Sequence, residues 1–212
     1  MQKMNNLTQR LITAVVGAAV LITGMLWNVY SLIIVLWSLS FAIHFEYLRR
    51  VQNLKDHATR VVEIVLNLII GMLVFSIVPL LYLQTENLVF IPILLFFPLL
   101  SLFFIFELFM KRENPYRNIG LNIAGIFYCI VPFALLLSIP LFWGSYLVQL
   151  RDINPIFASS GLFILGYFLI VWTHDTMSYF TGKAIGKHKL FERISPKKTW
   201  EGFFGGFIFS IG

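Results

Sequence analysis

Charge is what this sequence has least of. Only 12% of its 212 residues are Asp, Glu, Lys or Arg, about half the share usual in a soluble domain. A water-soluble monomer is excluded on that ground, as are disordered and collagen-like chains. Cysteine is nearly absent: Cys129 alone can form neither an intrachain disulfide nor a cysteine metal cluster. Internal repeats, heptad seams and low-complexity linkers are missing. The first apolar run follows a weakly basic start and has no convincing small-residue cleavage site, so a cleavable signal peptide is not expected.

Apolar residues fill the gap. They make up 58% of the chain, and the mean hydropathy is +0.83. The expected fold class is all-α: a polytopic transmembrane helix bundle forming a single domain over 1–212. A span needs about 20 apolar residues. Charge-free runs of 35, 22, 20, 33 and 21 residues lie between Arg10 and Glu46, Glu63 and Glu86, Glu86 and Glu107, Arg117 and Arg151, and Asp152 and His174. A single helix over the first run would reach about 52 Å, well beyond a hydrocarbon core of about 30 Å. The polar stretch from Asn28 to Ser31 divides it. Seven spans result, at 11–27, 31–48, 62–83, 88–110, 119–140, 155–173 and from 203, the last incomplete. Trp143 and Tyr146 are expected at headgroup level after the fifth.

With the N-terminus in the cytoplasm, 15 of the 16 Lys and Arg fall on one side, and only Arg151 falls outside. That asymmetry is a strong orientation signal. It predicts an integral membrane protein, of the bacterial inner membrane type, with a basic cytoplasmic face. Glu46, Glu63, Glu107, Asn122 and Glu201 all fall near that face. A transport pathway would instead place polar groups near the midplane. Glu46–Arg50 and Glu107–Lys111 have the i,i+4 spacing of helix-end pairs. Asn67, Cys129, His44 and His57 read as structural.

The stretch 174–206 differs from the rest, and 174–202 is expected to be a cytoplasmic loop carrying the function. Lys183, Lys187, Lys189, Arg193, Lys197 and Lys198 crowd into it, bracketed by Asp175 and Glu201. Basic side chains neutralise phosphates, and carboxylates can hold a divalent cation bridging phosphate oxygens. Ser195 and Thr199 offer hydroxyls, and the glycines permit close backbone approach. Ser195-Pro196 reads as a helix N-cap with proline at the first helical position, aiming free N–H groups at an anion. The Walker loop pattern Gly-x-x-x-x-Gly-Lys-Ser/Thr is absent.

The run Asp175-Thr176-x-x-Tyr179-Phe180-x-Gly182-Lys183-x-x-Gly186-Lys187-His188-Lys189-Leu190 resembles the cytoplasmic loop of the integral-membrane phosphatidate cytidylyltransferases, or CDP-diacylglycerol synthases. Ser195-Pro196-Lys197-Lys198-Thr199-Trp200-Glu201-Gly202 with Gly205-Gly206 is similar to that family's most recognisable block. Arg10-Leu11-Ile12-Thr13, Glu46-Tyr47 and Gly125-Ile126-Phe127-Tyr128 with Pro132 are weaker likenesses. The resemblance implies cytidylyl transfer from CTP to phosphatidate in phospholipid biosynthesis, with Mg²⁺ as the ion. It implies Asp175, Lys197, Lys198 and Glu201 as catalytic candidates, with Glu201 binding metal or positioning Lys198. Lys183, Lys187, Ser195, Thr199 and Tyr179 are substrate-binding candidates, and Asp175 is a metal-ligand candidate. Trp200 is expected to anchor at the interface or stack on cytosine.

The family's longer signature, with Pro-Gly-His-Gly-Gly and further Asp residues, does not occur within 1–212. Those Asp residues are the expected main metal ligands. The resemblance therefore implies an N-terminal portion of a longer enzyme, inactive alone. No nucleic-acid partner is expected, and a homodimer is allowed. The competing readings are a transporter or lipid-binding protein without catalysis, and a CTP-dependent lipid kinase.

Overall fold

In a computed structural model of the chain, residues 6–51, 57–83, 86–109, 114–139, 141 and 160–211 are described. The chain divides into two compact units, Met1–Gly161 and Leu162–Gly212.

The first unit is helical: α1 (Asn6–Trp27), α2 (Val29–Val51), α3 (His57–Tyr82), α4 (Glu86–Phe109), α5 (Pro115–Gly125), a π-helical turn (Ile126–Ile130) and α6 (Val131–Ser138). Four stretches are long and apolar enough to cross a membrane: Val29–Val51, Val61–Tyr82, Leu88–Phe109 and Pro115–Ser138. They correspond to the second to fifth spans expected from the sequence. Val15–Trp27 is apolar but shorter. Part of the expected 155–173 span, together with Trp143, Tyr146, Arg151 and Lys111, lies outside the described residues.

The break between α1 and α2 falls at Asn28, and the cause is local. Asn28 Oδ1 accepts the Ser31 N–H at 2.8 Å, and Ser31 Oγ donates to the Asn28 carbonyl at 2.8 Å. These bonds cap α2 with its own polar residues. The π-helical turn also has a sequence cause. Pro132 has no N–H, and its ring crowds the carbonyl four residues earlier, so the turn before it widens. Accordingly the Val131 N–H bonds the Ile126 carbonyl, five residues back.

Between helices in lipid, packing and polar bonds decide association, because lipid tails are as apolar as leucine. Leu32, Leu36, Ile70, Phe75, Phe103 and Leu137 are fully buried. His44 is buried too: a Cβ added to Gly71 would stand 3.0 Å from its Nδ1, and one added to Gly125 3.3 Å from its Nε2. The glycines make room for the imidazole between α2, α3 and α5. Tyr47 Oη donates to the Leu121 carbonyl at 2.9 Å across the same contact.

Glu63 and Glu107 are both 1% exposed. Asn122 Nδ2 donates to Glu63 Oε1 at 2.7 Å and to the Asn118 carbonyl at 2.8 Å, and Asn118 Nδ2 donates to Glu107 Oε1 at 2.7 Å. Glu107 is thus buried against α5 rather than fraying at a wet helix end. Glu46–Arg50 is the exposed i,i+4 pair expected, at 2.7 Å, a class of contact that contributes about 0.3–0.5 kcal/mol.

The second unit holds α7 (Ser160–Ile185), strands β1 (Lys189–Phe191) and β2 (Ser195–Thr199), and α8 (Trp200–Ile211). The strands are antiparallel, with Lys189 opposite Thr199, Phe191 opposite Ser195, and an irregularity between. This hairpin is set into an architecture that is otherwise helical, in line with the all-α expectation. It also narrows the expected 174–202 loop, because residues 174–185 continue α7 as helix. Asn122→Leu removes the donor to Glu63 without altering bulk greatly. It should lower stability by about 1–2 kcal/mol, read as a lowered Tm in detergent.

Candidate active site

The basic segment is built on a close crossing of α7 and α8. A Cβ added to Gly202 would lie 2.7 Å from the Ser178 carbonyl oxygen and 3.1 Å from the Gly182 Cα. One added to Gly206 would overlap Ser178 Oγ, and one added to Gly205 would overlap the Thr181 side chain. Ser178-x-x-x-Gly182 on one helix and Gly202-x-x-x-Gly206 on the other form a small-residue seam at which backbones approach. This corrects the expectation that these glycines free the backbone to approach a phosphate. Gly182, Gly202, Gly205 and Gly206 serve helix contact. His174 and Phe203 meet edge to face at 5.9 Å in the same crossing.

The crossing delivers the end of α7 and the start of α8 to one place, and the hairpin spans them. Gly186 N–H bonds the Gly182 carbonyl at 3.1 Å, adding one turn to the helix end, and Trp200 N–H bonds the His188 carbonyl at 3.0 Å. A Cβ on Gly186 would overlap the Gly182 carbonyl and lie 2.7 Å from Thr199 Oγ1.

Thr199, and not Ser195, caps α8. Its Oγ1 accepts the Gly202 N–H at 3.2 Å, and the residue is 7% exposed. Ser195 and Pro196 lie in β2, so the cap expected at Ser195-Pro196 is corrected. The hairpin consumes five residues before the helix begins.

Glu201 is held from the connection between α7 and β1. Its Oε2 accepts the Lys187 N–H at 3.1 Å, its oxygens share the His188 N–H at 3.2 Å, and its Oε1 stands 2.6 Å from His188 Nδ1. The bond with His188, followed by backbone N–H groups, draws the Glu201 carboxyl down to about 2 from an ordinary 4.5. The sequence reading paired this carboxylate with a metal or with Lys198; its described partners are the Lys187–His188 turn and the His188 ring. His188 was assigned no role, because nothing in the spacing shows that a hairpin returns position 201 to position 188.

The remaining candidates sit apart. Lys197 and Lys198 are exposed in β2. They lie where the hairpin register is irregular, between the Lys189–Thr199 and Phe191–Ser195 pairs. Lys183 stands 6.0 Å from the ring centroid of Tyr179, with both exposed on α7. Asp175 is 80% exposed, and its described contact is His174 Nδ1 at 3.9 Å. Eleven residues of helix and helix end separate it from Gly186, about 16 Å along the axis. Asp175 and Glu201 therefore do not converge. Among the described residues no three His, Cys, Asp or Glu side chains are grouped to hold a metal ion.

A family profile described as the cytidylyltransferase family matches residues 8–212. Among similar proteins is a phosphatidate cytidylyltransferase of Staphylococcus epidermidis. It is 59% identical over 54 residues, which are 25% of this chain and 21% of that protein. The Haemophilus influenzae phosphatidate cytidylyltransferase is 50% identical over 52 residues, 24% of this chain and 18% of the relative. That of Aquifex aeolicus is 40% identical over 74 residues, 35% and 26% respectively. The matched stretches thus span about a quarter of these relatives or less.

Two predictions follow from this geometry. Gly202→Ala should cost about 1–3 kcal/mol, since the added methyl meets backbone that cannot yield. Gly166→Ala, with nothing within 4 Å of its added Cβ, should not destabilise, and thermal unfolding of both variants checks the contrast. The second concerns pH. Glu201 is more acidic in the fold than its ordinary 4.5, so its contribution is complete above about pH 4.5 and is lost as pH falls through about 2. A ¹³C-NMR titration of the Glu201 carboxyl should show the low midpoint, and His188→Ala should move it upward.

Proposed function

This chain belongs to the cytidylyltransferase family, and on that premise we propose that it takes part in cytidylyl transfer from CTP to phosphatidate. A phosphate oxygen of phosphatidate attacks the α-phosphorus of CTP. The bond to the β-phosphate oxygen breaks, and CDP-diacylglycerol and pyrophosphate leave. No protein nucleophile is required. The demands are alignment and neutralisation of phosphate charge.

The observation that carries this reading is a basic hairpin held at the end of a pair of apolar helices. Lys187, Lys189, Lys197 and Lys198 are exposed on or beside it, while Phe204, Phe207, Ile208 and Phe209 expose apolar surface on α8. A lipid phosphate at headgroup level and a nucleotide from water can meet there. In this reading Lys197 and Lys198 contact phosphates, with Lys183 and Lys187 as further phosphate contacts and Ser195 at the strand's start. Tyr179 flanks Lys183. Thr199 acts by capping α8.

Mg²⁺ is the proposed ion. It binds through one or two carboxylates plus substrate phosphates; Asp175 is the proposed ligand, but its place about 16 Å along α7 from the hairpin does not fit an ion shared with phosphates held there, and Glu201 is engaged by the turn. When bound, the ion would offset phosphate charge; no step is assigned to it. The proposed topology has seven spans, a cytoplasmic N-terminus and a cytoplasmic hairpin. The basic asymmetry of the sequence supports it.

Supplying CTP, Mg²⁺ and phosphatidate to the intact protein should release pyrophosphate. Absence of product from correctly inserted protein would refute the reading. Lys197→Ala with Lys198→Ala should lower turnover at least about 100-fold without preventing insertion.

A further inference from the structure

The Glu201–His188 pair does more than a turn requires. The Lys187 and His188 backbone amides already tie the α7–β1 connection to the carboxylate. The imidazole adds a third attachment from a side chain that is 80% exposed, and exposed charge pairs contribute little to stability. What the attachment does determine is the ring's orientation and tautomer. Nδ1 lies 2.6 Å from a carboxylate oxygen and so carries a proton, which leaves Nε2 at the exposed edge of the ring. Glu201 faces the ring, and Lys187 and Lys189 adjoin it along the chain.

We propose that His188, oriented by Glu201, is a phosphate-binding residue of this site, presenting Nε2–H to a phosphate oxygen of a substrate. Glu201 is then a positioning residue. A ring between a carboxylate and a phosphate faces an anionic acceptor at each nitrogen, so both bonds are charge-assisted. Lysines supply mobile point charge to the same phosphates, whereas the pinned imidazole supplies direction. The nucleotide and the lipid both carry suitable phosphate oxygens. The identity of the substrates rests on the cytidylyltransferase reading, but the phosphate site does not.

The test uses amide side chains that copy one ring nitrogen each. His188→Asn places an amide nitrogen near the Nδ1 position, and His188→Gln reaches the Nε2 position. In the intact, membrane-inserted protein, His188→Asn should raise a KM about tenfold with less effect on kcat, and His188→Gln should recover most of the loss. Glu201→Gln should resemble His188→Asn. A rise confined to the KM for CTP assigns the nucleotide phosphates, and one confined to the KM for phosphatidate assigns the lipid.

A second arm measures binding of inorganic pyrophosphate by calorimetry. It reads the site even if wild-type protein transfers no cytidylyl group, an outcome that would defeat only the functional reading. In this arm weaker binding in His188→Asn, restored in His188→Gln, supports the proposal. Equal behaviour of both variants and wild type overturns it. So does retention of function in His188→Asn with loss in His188→Gln, which would make the Nδ1 tether purely structural.

Discussion

The approach of α7 and α8 at Gly182 and Gly202 governs everything built beyond it. Two helices normally pack with axes 8–10 Å apart. Here neither contact residue has a side chain to hold them off, and even one methyl at Gly202 would meet backbone. The small residues recur one turn on, at Ser178 and Gly206. Because the helices are close, Gly186 and Thr199 become neighbours, and only then can a short hairpin close between them. The Thr199 cap and the reach of Glu201 to the Lys187–His188 turn are consequences of that approach.

The seam also explains the economy of polar groups in the second unit. A helix start has unmet N–H groups, and a helix end has unmet carbonyls. At the head of this unit the Thr199 hydroxyl takes the Gly202 N–H, while the His188 carbonyl takes that of Trp200. Glu201 takes the amides of the incoming turn. The lysine side chains of the hairpin take no described part in this closure and are exposed. The first unit meets the same demand differently: Asn118 and Asn122 of α5 supply donors to carboxylates buried on α3 and α4.

On the proposed reading, the site receives two substrates of opposite solubility. The helices below the hairpin show large apolar side chains outward, and the hairpin itself is polar. Phosphoryl chemistry at such a boundary depends on directed charge rather than on a nucleophile from the protein. On the proposed reading, His188, held at one nitrogen by Glu201, adds direction to the charge of the lysines.

Much of this was readable from composition and spacing. Charge-free runs located the four long apolar helices, because a span's length follows from bilayer thickness. The polar break at Asn28 was legible because its capping partner, Ser31, is three residues away. The basic block was legible as a segment apart from the rest, because residue types and order survive without coordinates; its direction toward phosphate is the proposed reading. What tertiary structure alone decided was which residues meet. The sequence placed an N-cap at Ser195, but the hairpin moved it to Thr199. It offered the glycines to a ligand, but helix crossing claimed them. Glu201 and His188 stand 13 positions apart with no periodic relation, and only the antiparallel return of β2 brings them to 2.6 Å. Local chemistry is written in neighbours along the chain, whereas a contact across a crossing depends on the backbone distance that glycine permits.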